Sequence, residues 1–105
     1  MKSEKTDKYC LYTLDSRSSF DDFSFLQKTD LKENVIIDCG SVDISENHIQ
    51  LFKSAYERFL VAHKSLVVIV PNKIDMDRYE DVFVAVPSIS EAIDYIYMDE
   101  LERNF

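Results

Sequence analysis

Residues 34–52 read NVIIDCGSVDISENHIQLF, and this stretch decides the fold. Val35, Ile36 and Ile37 form a continuous β-branched run that ends at Asp38, Cys39 and Gly40, the only glycine in the chain. A short polar bend follows, and then a helical pattern. A run that is apolar on both faces suits a strand inside a parallel sheet. It delivers a loop and a helix N-terminus to one edge of that sheet, where sites in open α/β proteins usually lie.

Downstream, residues 45–64 place Ile49, Phe52, Tyr56, Phe59 and Leu60 on one face and Glu46, Gln50, Lys53 and Glu57 on the other, which predicts an amphipathic helix. Residues 66–70 (LVVIV) predict a central strand, 75–80 a short helix or turn, and 82–86 (VFVAV) a further strand. Over residues 88–103 a terminal helix is expected. Ser88 and Glu91 form its S-x-x-E capping box, and Ile89, Ile93, Ile96 and Leu101 its buried stripe.

Upstream, residues 8–14 (KYCLYTL) predict a strand. Residues 18–28 predict a helix behind Ser18 or Ser19, with Phe20, Phe23 and Leu26 at helical spacing. Residues 1–7 are polar and expected to fray. The alternation of strands and helices implies an α/β fold: a mostly parallel sheet of four strands or slightly more, covered by helices, in one domain over 1–105.

Composition narrows the function. Twenty acidic against twelve basic residues give a net charge of -8, a surface that repels nucleic acid and anionic membrane. Neither is expected as a partner. The first ten residues have no signal-peptide core, and the run 66–71 is too short to span a bilayer, so a cytoplasmic protein is expected. Cys10 and Cys39 are the only cysteines. Both lie in apolar runs, without CxxC or zinc spacing, and read as structural thiols.

The stretch VIIDCGSVD, the helix after it, the LVVIV strand and the late helix start at Ser88, Glu91 and Ala92 resemble, in that order, the STAS domain, the fold of anti-sigma-factor antagonists. The resemblance covers residues 8–105. More narrowly, VPSISEAIDYIYMDELERNF is similar to the C-terminus of small STAS-like proteins encoded beside ribonuclease Z in some bacteria. The family implies a regulatory domain without enzymatic activity that works through a protein partner. Its phosphorylated members carry a D-S-S/T-G-type loop before the main helix, whose hydroxyl receives a phosphoryl group from an anti-sigma kinase. Here the loop reads Asp43-Ile44-Ser45-Glu46-Asn47. Ser45 is the nearest match to the phosphoacceptor, but the glycine is missing, and Asp43 and Glu46 would repel a phosphoryl group. The plainer role of Ser45 is helix N-cap.

Other constellations have ordinary explanations. Asn72-Lys73-Ile74-Asp75 has the N-K-x-D spacing that reads guanine in GTPases, but a chain with one glycine cannot hold the phosphate-cradling loop. His48 and His63, fifteen positions apart on one helix, lie roughly 22 Å apart along its axis and cannot share a ligand. Asp38 is the best placed carboxylate for catalysis, yet an Asp at a strand end more often accepts backbone N–H groups of the next loop. Asp94, Asp99, Glu100 and Glu102 predict a solvated acidic face, or a docking surface for a basic partner.

The site expected from sequence is therefore an interaction surface, not a reaction centre. It comprises Asp38, Gly40, Ser41, Asp43, Ser45, Glu46 and Asn47 with the exposed face of the following helix. No cofactor or metal is expected; the partner is a protein, and the chain a monomer or weak dimer. Two other readings stay open: an accessory partner of a neighbouring enzyme such as ribonuclease Z, and a small-ligand or nucleotide-binding module using the 38–45 and 72–75 loops.

Overall fold

A computed structural model of the chain describes residues 2–14, 26, 32–40, 44–70, 79 and 81–103. Its strands are β1 (Lys2–Lys5), β2 (Tyr9–Thr13), β3 (Asn34–Asp38), β4 (Leu66–Ile69) and β5 (Val84–Val86), and its helices α1 (Glu46–Val61) and α2 (Ile89–Arg103). They build one mixed five-stranded sheet in the order β1-β2-β3-β4-β5. Strands β2 to β5 are all parallel, with Val35 opposite Leu66, Ile37 opposite Val68, and Val67 opposite Val84. The expected parallel, adjacent set of three apolar runs is present. The last of them is shorter than expected.

The N-terminus departs from expectation. Instead of fraying, Lys2–Lys5 pairs antiparallel with β2, Lys5 standing opposite Cys10 and Lys2 opposite Thr13. Its side chains are all exposed, so no hydrophobic pattern announces it; backbone pairing holds it, with an ion pair from Lys5 to Glu33. A turn at Thr6 makes the reversal possible. The Thr6 hydroxyl accepts the N–H groups of Lys8 and Tyr9, both at 3.1 Å, and the Thr6 N–H donates to the Tyr9 carbonyl at 2.8 Å. Charged side chains on such an edge discourage further strand pairing.

The sheet separates two apolar layers. On one side Phe52, Ala55 and Phe59 of α1 pack against Val35, Ile37, Leu66 and Val68, with Leu14, Leu26, Tyr79 and Phe83 closing the layer. On the other, Ala92 and Ile96 of α2 pack against Ile36, Val67 and Ile69. Burial of β3 and β4 from both sides explains why those strands read as unbroken apolar runs.

The buried faces are rotated from those expected. In α1, Leu51 and Ala55 are buried, Tyr56 is half-buried, and Leu60 is 54% exposed. Ala55 lies on the buried stripe with Ile49, Phe52 and Phe59, and helical periodicity leaves Leu60 off that stripe. In α2, Ala92 takes the central place; Ile89 and Leu101 are 38% and 57% exposed. The helix expected over 18–28 lies outside the described residues apart from Leu26, which is fully buried. The turn expected over 75–80 is likewise undescribed apart from Tyr79, whose ring stacks on Phe83 with centroids 5.3 Å apart.

Candidate functional site

Strand β3 carries the chain to the expected site. At its end the Asp38 carbonyl accepts the Leu14 N–H at 2.9 Å, and the Cys39 N–H donates to the Ile69 carbonyl at 3.2 Å. The strand end is thus tied to both neighbours. The Asp38 carboxylate turns back on its own loop and accepts the Gly40 N–H at 2.9 Å, the ordinary role for an Asp at a strand end. Gly40 has φ +55, a conformation that strains residues bearing a Cβ. This accounts for the single glycine of the chain. Ser41 and Asp43 lie outside the described residues.

Beyond the bend, Ser45 caps α1. Its backbone is extended (φ -81, ψ 167), and its hydroxyl accepts the His48 N–H at 3.3 Å. His48 completes a reciprocal capping box. Its Nδ1 lies 3.2 Å from the Ser45 N–H and 2.8 Å from the Ser45 hydroxyl. Histidine here does the work that Glu or Gln usually does three residues after the cap. Accepting at Nδ1 places the proton of the neutral ring on Nε2. Burial holds the His48 imidazole below its usual pKa, which suits that acceptor role. A serine hydroxyl beside an imidazole nitrogen is also the pairing that activates serine nucleophiles; here the same atoms close the first turn of the helix. Glu46 and Asn47 stand exposed beside them, and Glu46 favours the helix N-terminus electrostatically.

His48 also begins a line of rings. Its centroid is 6.3 Å from that of Phe52, which meets Phe83 edge-to-face at 5.7 Å. With Tyr79 stacked on Phe83, aromatic packing connects the head of α1 to the segment before β5.

The opposite end of the sheet holds a polar cluster that the sequence does not advertise. Asn34 and Ser65 are buried, 2% and 3% exposed. The Asn34 amide donates to the Lys8 carbonyl at 3.0 Å and to Glu100 at 2.7 Å, and its oxygen accepts the Ser65 N–H at 2.8 Å. The Ser65 hydroxyl donates to Asp99 and accepts from Arg103 at 3.3 Å. Asp99 and Glu100, expected on a solvated acidic face, therefore turn inward as partners for the strand starts; Asp94 and Glu102 remain exposed. Only the position of an Asn at the head of an apolar strand hints at this in the sequence, and nothing local names its partners.

Both cysteines are free thiols. Burial, then the neighbouring Glu33 carboxylate, pushes Cys10 up to about 11, and burial followed by Asp38 pushes Cys39 up to about 12. Glu33 links Cys10 to Lys5, whose ammonium is 2.6 Å from it. The residues 72–75 lie outside the described part of the chain. Among the described residues, no group of three or more His, Cys, Asp or Glu is placed to hold a metal ion, and no helix is long and apolar enough to cross a membrane. The chain matches no protein-family model and no curated protein.

Proposed function

We propose that the chain is a STAS-like, non-enzymatic domain that acts by binding a protein partner in a regulatory role, and that its phosphorylation switch is not retained. One observation carries the reading: the hydroxyl nearest the family's phosphoacceptor position, Ser45, is engaged with His48 in closing the first turn of α1. The order of elements supports the likeness. Strand β3 ends at Asp38 with Gly40 in the turn beyond it, α1 follows its cap, β4 and β5 succeed it, and α2 begins behind Ser88, whose hydroxyl accepts the Glu91 N–H at 3.3 Å.

The interaction surface in this reading is the loop from Asp38 to Asn47 together with the exposed α1 residues Gln50, Lys53 and Glu57. Affinity capture from the native host with wild-type bait, followed by mass spectrometry, tests it. A Lys53→Glu/Glu57→Lys bait should lose the captured protein, whereas Lys8→Glu, at the other end of the sheet, should retain it. Loss with Lys8→Glu alone, or retention by all three baits, would sink the assignment.

A further inference from the structure

Two adjoining grooves open at the N-terminal ends of the parallel strands, away from the surface proposed above. One, of about 310 Å³, has Lys5, Lys8, Lys32 and Lys64 on its walls with Asn34. The other, of about 700 Å³, is lined by His63, Lys64, Glu100 and Arg103. Lys64 and Glu100 belong to both. Among the described residues, the walls carry four lysines and one arginine against three carboxylates, Asp7, Glu33 and Glu100, and Asp99 lies 3.8 Å from the arginine. This local positive surplus sits in a chain of net charge -8.

Two of those carboxylates already have partners. Glu33 meets Lys5 at 2.6 Å, and Glu100 meets the Asn34 amide at 2.7 Å and Lys8 at 3.8 Å. Lys64 is half-buried and has no ion-pair partner within 4 Å among the described residues. Cations in the last turns of α1 and α2 would complement the helix dipoles, but Lys5, Lys8 and Lys32 belong to neither helix.

A second observation is the backbone at the rim. Helix α1 ends with the Lys64 N–H donating to the Phe59 carbonyl at 2.9 Å and the His63 N–H to the Leu60 carbonyl at 3.1 Å. That is the Schellman pattern, whose left-handed residue is ordinarily glycine. Here it is His63, at φ 59. An imidazole is thus kept at the groove mouth in a strained conformation, and such strain tends to gather at functional positions.

We propose that these grooves bind a phosphate-class oxyanion, with Lys64 as the central contact, Arg103 supplying further N–H donors and His63 at the mouth. Lysine serves phosphate as a point charge, and the guanidinium fork of arginine matches its oxygens. The phosphoryl group is either free or carried by a small phosphorylated molecule. The site is independent of the partner-binding reading.

The test is an amide-shift titration of the ¹⁵N-labelled full chain with inorganic phosphate, pyrophosphate and a sugar phosphate, at ionic strength held constant with chloride. Saturable shifts confined to residues 32–34, 63–65 and 99–103 are expected. Lys64→Met should weaken binding about tenfold, the loss of one charge-assisted contact, and Lys53→Met should leave it unchanged. Should Lys64→Met not fold, Lys8→Met, at an exposed position, carries the same comparison with a smaller loss. Tighter binding of the sugar phosphate than of inorganic phosphate assigns the site to a phosphorylated molecule, and the reverse order to the free anion. Shifts that chloride reproduces, that spread equally to Lys2 and Lys53, or that survive the groove substitutions would overturn the proposal.

Discussion

Asn34 and Ser65 meet at the heads of β3 and β4 with both side chains buried, the Asn34 oxygen accepting the Ser65 N–H at 2.8 Å. The same amide reaches Lys8 and Glu100, so one side chain ties β2, β3, β4 and α2 together. Asn34→Ala orphans a buried N–H and is expected to cost about 2–3 kcal/mol in urea melts at neutral pH. Asn34→Asp should be no milder, because it sets a second carboxylate against Glu100. Its loss should shrink on acidification. A change below about 0.5 kcal/mol in either variant would mean the cluster contributes little.

At the other end, Ser45→Ala should lower stability by about 1 kcal/mol, and Ser45→Asp should be nearly neutral, since Asp also caps and favours the helix dipole. Denaturant midpoints at constant m-value decide this. A wild-type midpoint for Ser45→Ala would remove the hydroxyl from the cap.

His48 gives the fold a pH dependence whose sign is fixed. Its folded pKa lies below the ordinary value of 6.5 because burial disfavours the imidazolium. The unfolded chain therefore binds the proton more readily. The stability from this group is complete above 6.5 and falls as pH drops toward the folded pKa. His48→Gln keeps a capping-box side chain that does not titrate, and should flatten the melting temperature between pH 7.5 and 5.5 relative to wild type. An equally steep profile in the variant would assign the dependence to another group.

His63→Gly relieves a left-handed conformation at the C-terminal cap of α1. The gain is expected to be roughly 0.5–1 kcal/mol, because glycine's greater freedom in the unfolded chain offsets part of the relief. Thermal melts check it, and destabilisation would show that the imidazole makes a contact worth more than the strain.

Cys10 and Cys39, with thiols pushed up to about 11 and about 12, should react slowly with iodoacetamide at pH 7.5 in the folded protein, since the thiolate is the nucleophile. Glu33→Gln removes a carboxylate that keeps Cys10 protonated, and should speed alkylation at Cys10 while leaving Cys39 unchanged. Rapid modification of Cys10 in the wild type, followed by peptide mapping, would contradict this.

Sequence patterns reach as far as groups whose neighbours in space are also neighbours in period. Val35–Ile37 and the 66–70 run announced their strands because burial on both faces leaves an unbroken apolar signature. Ser45 announced its cap because capping is local. Strand β1 was silent, since Lys2, Ser3, Glu4 and Lys5 pair through backbone and point to solvent. The inward turn of Asp99 and Glu100 was silent too: their partners Ser65 and Asn34 lie 34 and 66 positions away. The capping role of His48 went unread in the sequence. Its position three residues after a serine fits a capping box, but the usual pattern asks for Glu or Gln.

The two sides of the sheet are unequal. Around α1, fifteen described residues form the buried layer; around α2, five do. Half-buried Tyr9, Leu11, Val84, Val86, Ile93 and Tyr95 complete the smaller layer, and the hydrogen bonds of Asp99, Glu100 and Arg103 to Ser65 and Asn34 are concentrated in the last turns of α2. The polar ties of the terminal helix to the strands thus sit at its end, while its first half rests on the apolar packing of Ala92 and Ile96. In native-state hydrogen exchange, α2 should open as a separate unit below the global unfolding free energy, its first turns before its last, while β3, β4 and α1 exchange only when the whole molecule unfolds.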